Sequence, residues 1–537
     1  MTNNDPCNWT STDDSMVEHA LRRGAGRREL LRMLAAGGMG LAAAGTILGR
    51  AGTALAQTPV SGGHVKAAGW SSSTADTLDP AKASLSTDYV RCCAHYNRLT
   101  FLDDKGVTRM ELAEKVETTD AKTWTITLRR GVTFHSGKTL SAADVVFSLQ
   151  RHLDPAVGSK VNAIAKQMTG FRAVDPLTVE VTLAAPNGDL PTILAMHHFM
   201  IVADGTTDFT KGNGTGAFLV ERFEPGVRSI GKRNPNYWKD GRPYLDSFEF
   251  FAIPDDTARV NALLSGDIQL AAAISPRSIR LLDRAPNVVQ SRTTSGNYTD
   301  LNMRLDLSPG DKAGFAEGMK YLLNREQIQK SALRGLAEIA NDQPVPPSNV
   351  YRNAELAPKP FDPERAKSLF QKAGVLGQTI PIVASEAAGS SLDMAVIVQQ
   401  AGNAIGMKFD IQRVPSDGYW SNYWLKAPVH FGNVNPRPTP DILFSLLYAS
   451  TAPWNESRFQ SEKFDAMLLE ARGSLDQAKR KEIYGEMQVM VANEAGTGIP
   501  VYMSNVDAIS DKLKGLQYSP LGGMMGYNFA EYVWLER

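Results

Sequence analysis

Histidines stand at two places where their position could support metal chemistry. His197 and His198 are adjacent and could supply half of a metal site. Neighbouring side chains of a strand point to opposite faces, however, so a strand here would separate the two rings. His430 lies in a proline-rich segment and is the better single candidate for a contact with a metal or a ligand. The sequence predicts neither a resident metal nor a cofactor.

No catalytic or phosphate-binding signature occurs in the chain. It contains no G-x-S-x-G nucleophile motif, no HExxH motif and no Walker A loop. The run Gly212–Gly216 (GNGTG) lacks the Lys-Ser/Thr of a phosphate loop, and it predicts a turn where backbone passes closely. No nucleophile, base and orienting group fall together. The chain is therefore expected to bind rather than to react, and a secreted hydrolase is the remote alternative.

A proline-rich segment with nearby tryptophans suits the binding of a polar ligand. Val429–Pro440 is predicted to be a long loop, and loops of this length often line a site. It contains Arg437, and a buried guanidinium prefers a carboxylate or phosphate partner. Trp420, Trp424 and Trp454 flank the segment and could stack against a ligand.

The role of Arg437 has two interpretations on sequence grounds. It could bind an anionic group of a ligand, or it could pair with Asp441 and serve only the structure. The consecutive residues Trp454, Asn455 and Glu456 could likewise provide a stacking face and polar contacts. Alternatively, Trp454 could pack the core of its loop.

Composition limits the class of protein. A chain of 537 residues predicts about two to four compact units. The 57 Lys and Arg balance 57 Asp and Glu, which argues against a nucleic-acid partner held by bulk positive charge. Three cysteines are too few for a disulfide-built scaffold or a CxxC-type zinc site.

The N-terminus has the pattern of an export signal. Arg27 and Arg28 precede the uncharged run Met33–Leu48, and Ala54–Ala56 offers a signal-peptidase site before Gln57. The run is too short and too rich in Gly and Ala for a lasting membrane span. Residues 1–56 are therefore predicted to be a signal peptide of the twin-arginine type, with an ordinary Sec signal as the alternative. No cysteine stands directly after the apolar run, so a lipid anchor is not expected.

Strand and helix signals alternate through the rest of the chain, as in α/β proteins. The alternation in Thr123–Leu128 predicts a half-buried strand, and Ser141 with an acid three residues later predicts a helix start. Residues 380–384, 392–405 and 408–414 read as strand, helix and strand. This order predicts a βαβ unit with parallel strands.

The segment Glu111–Arg151 (ELAEKVETTDAKTWTITLRRGVTFHSGKTLSAADVVFSLQR) resembles the extracytoplasmic solute-binding proteins, family 5, of ABC transporters. That family includes dipeptide, oligopeptide and nickel binders. The resemblance covers about residues 60 to 537, because further family-like segments follow in order. They are TLDPA (Thr77–Ala81), GTGAFLVERFEPG (Gly214–Gly226), RNPNYWKDGRPYLDSFEF (Arg233–Phe250), LLSGDIQL (Leu263–Leu270), GMKYLLNREQI (Gly318–Ile328), FDPERAKSLFQKAG (Phe361–Gly374) and KFDAMLLEAR (Lys463–Arg472).

The resemblance implies an α/β, two-lobed periplasmic-binding-protein fold of type II, in the large form with an extra subdomain in lobe I. Lobe I would hold residues 58–298, with an inserted subdomain at about 97–211, and residues 508–537 would return to it. Lobe II would hold residues 299–507. The two crossings, near Tyr298–Asn302 and Ser504–Ala508, would form the hinge on which the lobes close.

The implied function is that of a periplasmic substrate-binding protein of an ABC importer. It would be a soluble monomer that captures a peptide-like or other small polar solute, delivers it to an inner-membrane permease and binds no nucleic acid. A nickel or metal-chelate binder that uses His430 is the alternative within the family.

The identity of the ligand is the weakest part of the resemblance. Peptide binders of the family hold the ligand's α-amino group with an aspartate of lobe II, and this sequence has none around Pro436–Arg437. The candidate ligand-binding residues are Trp70, Tyr298, Asn302, Trp424, Arg437, Asp441, Trp454 and Asn455.

Overall fold

The computed structural model describes residues 59–519 and 522–536. The predicted signal peptide, with its arginine pair and cleavage site, lies outside these residues. Within them, no helix combines the length and the apolar character needed to cross a membrane.

Strands and helices alternate along the described chain. The strands are β1 (His64–Gly69), β2 (Thr100–Leu102), β3 (Thr108–Met110), β4 (Ala113–Glu117), β5 (Thr123–Leu128), β6 (Met168–Asp175), β7 (Thr178–Leu183), β8 (Phe218–Glu224), β9 (Arg228–Arg233), β10 (Ser247–Ala252), β11 (Leu270–Ala271), β12 (Val288–Thr294), β13 (Tyr298–Met303), β14 (Ala337–Ile339), β15 (Thr379–Ala384), β16 (Lys408–Arg413), β17 (Val429–Val434), β18 (Thr497–Gly498), β19 (Val501–Ser510), β20 (Leu513–Lys514) and β21 (Trp534–Leu535). The α-helices are α1 (Ser86–His95), α2 (Ala142–Gln150), α3 (Asn162–Ala165), α4 (Leu190–Ile193), α5 (Asp256–Leu264), α6 (Ile279–Leu282), α7 (Phe315–Leu322), α8 (Arg325–Gln327), α9 (Pro363–Lys372), α10 (Ser391–Ala404), α11 (Tyr419–Asn422), α12 (Pro440–Leu447), α13 (Glu462–Gly473), α14 (Gln477–Glu494) and α15 (Phe529–Tyr532).

A larger mixed sheet has the strand order β12-β19-β11-β1-β10-β9-β8, with β14 also paired to β19. Its central strand β1 is parallel to both β10 and β11. Helix α1 packs on this sheet, because Val90 and Ala94 share a buried core with Phe218 and Phe248. The glycine-dense turn also lies here, and a Cβ at Gly214 or Gly216 would overlap the backbone of His95. The prediction of a close backbone passage is therefore confirmed.

A smaller five-stranded sheet has the order β16-β15-β17-β13-β18. Strands β15 and β16 are parallel and joined by α10, which confirms the predicted βαβ unit. The next two strands inward, β17 and β13, are antiparallel to each other. Strand β13 (YTDLNM) is buried at every residue, although it contains an aspartate and an asparagine. Polar side chains at such positions need internal partners.

The chain passes between the two sheets twice. The first passage is the segment 295–297, between β12 of the larger sheet and β13 of the smaller one. The second is the segment 499–500, between β18 of the smaller sheet and β19, which pairs with β14 at residues 501–503 and with β12 from Ser504 onward. Strand β13 itself belongs wholly to the smaller sheet. The lobe boundaries implied by the resemblance stay a proposal.

A separate four-stranded sheet, β4-β5-β7-β6, forms within the predicted inserted subdomain. The predicted strand β5 and the predicted start of α2 are both found, and Ser141 and Asp144 make the capping box of that helix. The core of this region also takes in Ile442 from α12. Helix α12 thus touches the subdomain directly.

Two predictions about local structure are wrong. The segment Val429–Pro440 is not a single loop, because residues 429–434 form strand β17 and only 435–439 are irregular. Its nearly continuous run of buried residues outweighs the turn signal of the prolines that follow. His197 and His198 are also not on a strand, since they lie in a single turn of 3-10 helix, His197–Phe199.

Candidate ligand-binding site

The segment that carries Arg437 is short and constrained on both sides. It leaves β17, passes through three prolines at 436, 438 and 440, and enters α12. The hydroxyl of Thr439 accepts a hydrogen bond from the backbone N–H of Ile442 at 3.2 Å and caps the helix. Proline fixes the backbone torsion φ, so this segment loses little entropy when it closes on a ligand.

Arg437 is half-buried, yet no carboxylate pairs with it among the described residues. Its one hydrogen bond with a protein atom runs from Nη1 to the carbonyl of Pro436 at 3.4 Å. The guanidinium lies 5.6 Å from the ring centroid of Trp454, a cation–π arrangement. Burial lowers the pKa of Arg437, and the phenols of Tyr298 and Tyr89 oppose that shift. A desolvated cation without an anion is the feature expected of a ligand contact.

The alternative pairing of Arg437 with Asp441 is wrong. Asp441 accepts a hydrogen bond from Arg472 Nε at 2.7 Å and is buried in the first turn of α12. Burial raises the pKa of Asp441 to about 6, and Arg472 opposes the rise. Asp441 therefore has an internal partner, and we do not place it in the site.

Three tryptophans form a continuous aromatic wall beside Arg437. The ring centroids of Trp420 and Trp424 are 5.5 Å apart, and those of Trp424 and Trp454 are 5.9 Å apart, both in edge-to-face contact. Trp420 and Trp454 are 42% and 38% exposed, so the wall faces open space at both ends. Such rings present a large, rigid apolar surface to a ligand.

Two carboxyl groups, those of Asp300 and Glu456, lie beneath this wall. Trp424 donates its indole N–H to Glu456, and Glu456 meets Asp300 of β13. Both acids are buried, and a Cβ at Gly432 would overlap an oxygen of each. Burial, followed by the nearby charge of Asp300, raises the pKa of Glu456 well above its ordinary value.

The predicted residues Tyr298 and Asn302 lie in the same strand as Asp300. Both are fully buried, and Asn302 Oδ1 accepts a hydrogen bond from Thr497 at 2.8 Å. Tyr298 packs edge to face with Tyr502, with ring centroids 6.2 Å apart. These two residues support the floor of the site, and only Tyr298 is close enough to act on Arg437.

Asn455 is engaged within its own loop, and Trp70 is partly exposed after a strand of the larger sheet. The Asn455 amide donates to the carbonyls of Ala449 and Phe459 and accepts from the Phe459 N–H, so its polar atoms hold its own loop together. Trp70 follows β1 on the larger sheet and is 37% exposed. The role of Trp70 in binding stays a prediction.

The side opposite Arg437 is contributed by α1 of the larger sheet. Tyr89 stacks on His197 with ring centroids 5.2 Å apart and meets His198 and Tyr527 at 5.4 Å each. Burial raises the pKa of Tyr89 to about 12, while Arg437 lowers it. Tyr89 and Arg437 therefore face each other across the two sheets.

The histidines do not form a metal site. Burial lowers the pKa of His197 to about 3, and its Nε2 contacts the carbonyl of Gly526 at 3.1 Å. His430 lies in the buried strand β17, where its Nδ1 contacts the carbonyl of Ala427 at 2.8 Å. Burial lowers the pKa of His430 to about 4. No group of three potential metal ligands occurs among the residues described by the structure.

Sequence reasoning missed Tyr89 and Asp300, and it named Glu456 only as a possible polar contact beside Trp454. The one available signal was Asp300, an acid at an interior position of an otherwise strand-like segment, YTDLNM. Glu456 follows Trp454 closely, but only the fold brings it to Asp300. The residues around Tyr89 in the sequence do not point to the site, because Tyr89 is brought near Arg437 only by the fold.

Comparison with known proteins gives a consistent family. Residues 108–456 match the model described as bacterial extracellular solute-binding proteins, family 5 Middle. Heme-binding protein A of Haemophilus influenzae is 28% identical over 472 residues, which cover 80% of this chain and 85% of that protein. Glutathione-binding protein GsiB of Escherichia coli (strain K12) is 26% identical, covering 83% of this chain and 90% of GsiB.

The fold also matches solved structures. The periplasmic binding protein DppA from Helicobacter pylori, in complex with the peptide STSA, superposes with a TM-score of 0.73 at 22% sequence identity. The match covers 90% of this chain and 100% of DppA. The two sheets described above therefore belong to the two lobes of a periplasmic-binding-protein fold.

Proposed function

The chain belongs to the bacterial extracellular solute-binding proteins of family 5, and we propose that it captures a small peptide-like solute by pairing Arg437 with a carboxylate of that solute. Proteins of this family bind a solute between two lobes and hand it to the permease of an ABC importer. This chain is a binding protein of that kind. The family consists of binding proteins and not of enzymes.

The observation that carries the proposal is the lack of an anionic partner for a desolvated guanidinium. Removing Arg437 from water costs free energy that only an ion pair or charge-assisted hydrogen bonds can offset. No carboxylate of the described chain fills that role. A carboxylate of the ligand would receive two parallel N–H donors and would also rest beside the Trp454 ring.

The same region lacks a fixed anion for an ammonium group. Pro436 and Arg437 occupy the place where the resemblance leads one to expect an aspartate. Asp300 and Glu456 are buried behind Trp424 and so are screened from the wall. The anchoring group of the ligand is therefore proposed to be anionic rather than cationic.

The ligands named for the relatives fit this chemistry. Heme and glutathione, which give their names to two relatives, both carry more than one carboxylate. The DppA neighbour holds a short peptide, which ends in a carboxylate. We favour a glutathione-like short peptide, because the tryptophan wall and the prolines around Arg437 suit a compact ligand.

Ligand binding is tested first without any assumption about identity. Native mass spectrometry of gently purified protein would reveal a retained ligand, and isothermal titration with glutathione, trialanine and heme would rank the classes. Arg437→Ala should weaken the binding of the favoured ligand by about 2 kcal/mol or more, which is roughly 30-fold. Unchanged affinity in this variant would place the site elsewhere.

Arg413 supplies the matched control for that substitution. It lies in β16, is exposed and pairs with Glu386 at 3.5 Å. Arg413→Ala removes the same charge from the surface of the smaller-sheet lobe and should leave ligand affinity unchanged. An equal loss in both variants would indicate a general charge effect rather than a contact.

Export is proposed to follow the twin-arginine route, which carries folded proteins. The support is the pair Arg27 and Arg28 before a mildly apolar run. Replacing both with lysine should leave the precursor in the cytoplasm. Continued export of that double variant through Sec would show that the ordinary signal is in use.

A metal-chelate ligand has less support. His430, the residue on which that alternative rested, is buried in β17 and contacts the backbone of Ala427. We expect His430→Ala to leave the affinity for nickel–histidine chelates unchanged.

A further inference from the structure

Two carboxyl groups meet in the interior of the smaller-sheet lobe without a cation. Asp300 is fully buried and Glu456 is 4% exposed. The groups that act most strongly on either carboxyl include no lysine or arginine. Neither carboxyl oxygen of Asp300 has a hydrogen-bond partner of good geometry, although the Asn302 amide and the backbone N–H of Gly432 lie close enough to lower its pKa. The pair lacks the usual means of stabilising two negative charges.

Such a pair can be stable when it holds one proton between its members. Two adjacent carboxylates in a medium of low polarity cannot both ionise near neutral pH, so one pKa is pushed upward. A proton on Glu456 lets it donate to Asp300, which gives Asp300 the donor that it otherwise lacks. The other oxygen of Glu456 stays free to accept from Trp424.

The titratable groups around the pair do not supply a competing charge. Tyr298, Tyr419 and Tyr448 each face it, and burial raises the pKa of all three phenols. His430 lies on the neighbouring strand β17, where burial lowers its pKa to about 4. These four side chains are therefore neutral near pH 7.

The pair is connected to the binding wall through one side chain. Glu456 fixes the indole N–H of Trp424, whose ring contacts Trp454 at 5.9 Å, and Trp454 lies against Arg437. A rotation of Trp424 would remove the support of Trp454. The orientation of the wall therefore depends on the hydrogen bond that Glu456 accepts.

We propose that Glu456 is a positioning residue of the ligand site, which shares a proton with Asp300, holds Trp424 in place and limits the charge behind the wall to one. A second charge there would weaken the attraction between Arg437 and an anionic ligand. The inference rests on the proposed function only in placing the ligand beside Arg437. The shared proton can be tested with no ligand present.

Infrared difference spectroscopy gives the ligand-free test. A protonated carboxylic acid has a carbonyl stretching band that a carboxylate lacks. At neutral pH we expect the wild-type spectrum to contain one such band that is missing from Glu456→Gln. The same band should remain in Glu486→Gln, whose glutamate is 52% exposed and paired with Lys463. If the wild-type and Glu456→Gln spectra do not differ in this band, the shared proton is refuted.

Binding of glutathione tests the positioning role. Glutamine can accept from Trp424 and donate to Asp300, as the protonated acid does, so Glu456→Gln should bind within about twofold of wild type. Glu456→Leu provides neither interaction and should bind at least tenfold more weakly. Equal affinity in the leucine and glutamine variants would refute the positioning role.

A second substitution covers the case in which Glu456→Leu does not fold. Trp424→Phe keeps an aromatic ring but removes the N–H donor, and it too should bind glutathione at least tenfold more weakly. Wild-type affinity in Trp424→Phe would refute the role of this hydrogen bond. If instead Arg437→Ala binds normally while the infrared band is present, the proposed function fails and the shared proton stands.

Discussion

Two arginines that lie near the ends of one short segment, Arg437 and Arg472, are in opposite circumstances. Arg437 precedes α12 and has no carboxylate partner among the described residues. Just beyond it, Asp441 in the first turn of α12 is paired with Arg472 at 2.7 Å. Both arginines are half-buried, so burial alone does not explain the difference. The presence or absence of an internal anion separates a structural arginine from one that is available to a ligand.

The region around the ion pair of Asp441 and Arg472 also contacts the inserted subdomain. Arg480 pairs with Asp189, and its Nε donates to the carbonyl of Ala471 at 3.1 Å. The backbone N–H of Gly188 donates to the carbonyl of Arg472 at 2.8 Å. Helix α14, helix α13 and the segment before α4 are thereby joined in the conformation described. These contacts stabilise the folded chain, whereas Arg437 forms no ion pair among the described residues that could do so.

Removing one partner of the buried ion pair between Asp189 and Arg480 should give the largest effect on stability. Asp189→Ala leaves Arg480 buried without its anion, and loss of one member of a buried pair costs about 3–5 kcal/mol. We expect a fall of that size in the free energy of unfolding, measured by urea denaturation. Glu486→Ala breaks an exposed pair with Lys463 and should change it by less than about 0.5 kcal/mol. Similar losses in both variants would contradict the importance of burial.

Giving Arg437 a carboxylate partner within the protein should weaken its interaction with an anionic ligand. Trp454→Glu places a carboxylate near the guanidinium that now lies over the ring. It should bind an anionic ligand about tenfold more weakly than Trp454→Gln, which has the same length and no charge, a difference of about 1.4 kcal/mol. Isothermal titration with glutathione measures both variants. Equal affinities would mean that the ligand does not use the charge of Arg437.

The buried acid pair predicts a pH dependence of stability. Burial raises the pKa of Glu456 in the folded state above that in the unfolded chain. The folded state therefore binds more protons between the two pKa values, and the free energy of unfolding falls as pH rises through that range. Relative to Glu456→Gln, wild type should lose about 1 kcal/mol or more between about pH 5 and pH 8. A constant difference across these pH values would contradict the raised pKa.

The smallest effect should come from the stability of the ligand-free Arg437→Ala protein. Since no internal ion pair is lost, its free energy of unfolding should stay within about 0.5 kcal/mol of wild type. Thermal and urea unfolding in the absence of ligand provide the measurement. A loss comparable to that of Asp189→Ala would show that Arg437 has a structural partner after all.

Much of the fold follows from local patterns in the sequence. The capped start of α2, the alternating strand β5 and the unit β15–α10–β16 depend on neighbours in the chain, and each is found where it was predicted. Strand β17 was missed because its buried residues are closely followed by prolines, and the prolines led to the prediction of a loop over the whole segment.

The site could be predicted only in part. Arg437, Trp424 and Trp454 were identified because residue type and local proline content pointed to one segment. The partner of Asp441 could not be identified, since Arg472 comes from a different helix. Asp300 and Glu456 are far apart in sequence and meet only when β13, β17 and the segment after α12 pack together. Local sequence patterns do not show which distant residues will contact each other in the folded chain.

Strand β19 has a consequence for the release of cargo. It is one uninterrupted strand whose first residues pair with β14 and whose later residues pair with β12. Sliding the two lobes apart would break its ladder, whereas twisting it near Ser504 would keep most of the bonds. We therefore expect the lobes to part by rotation, with the backbone amides of β19 as slow to exchange with deuterium in the empty protein as in the loaded one. A permease that empties the site would then need to rotate the lobes relative to each other rather than pull them apart.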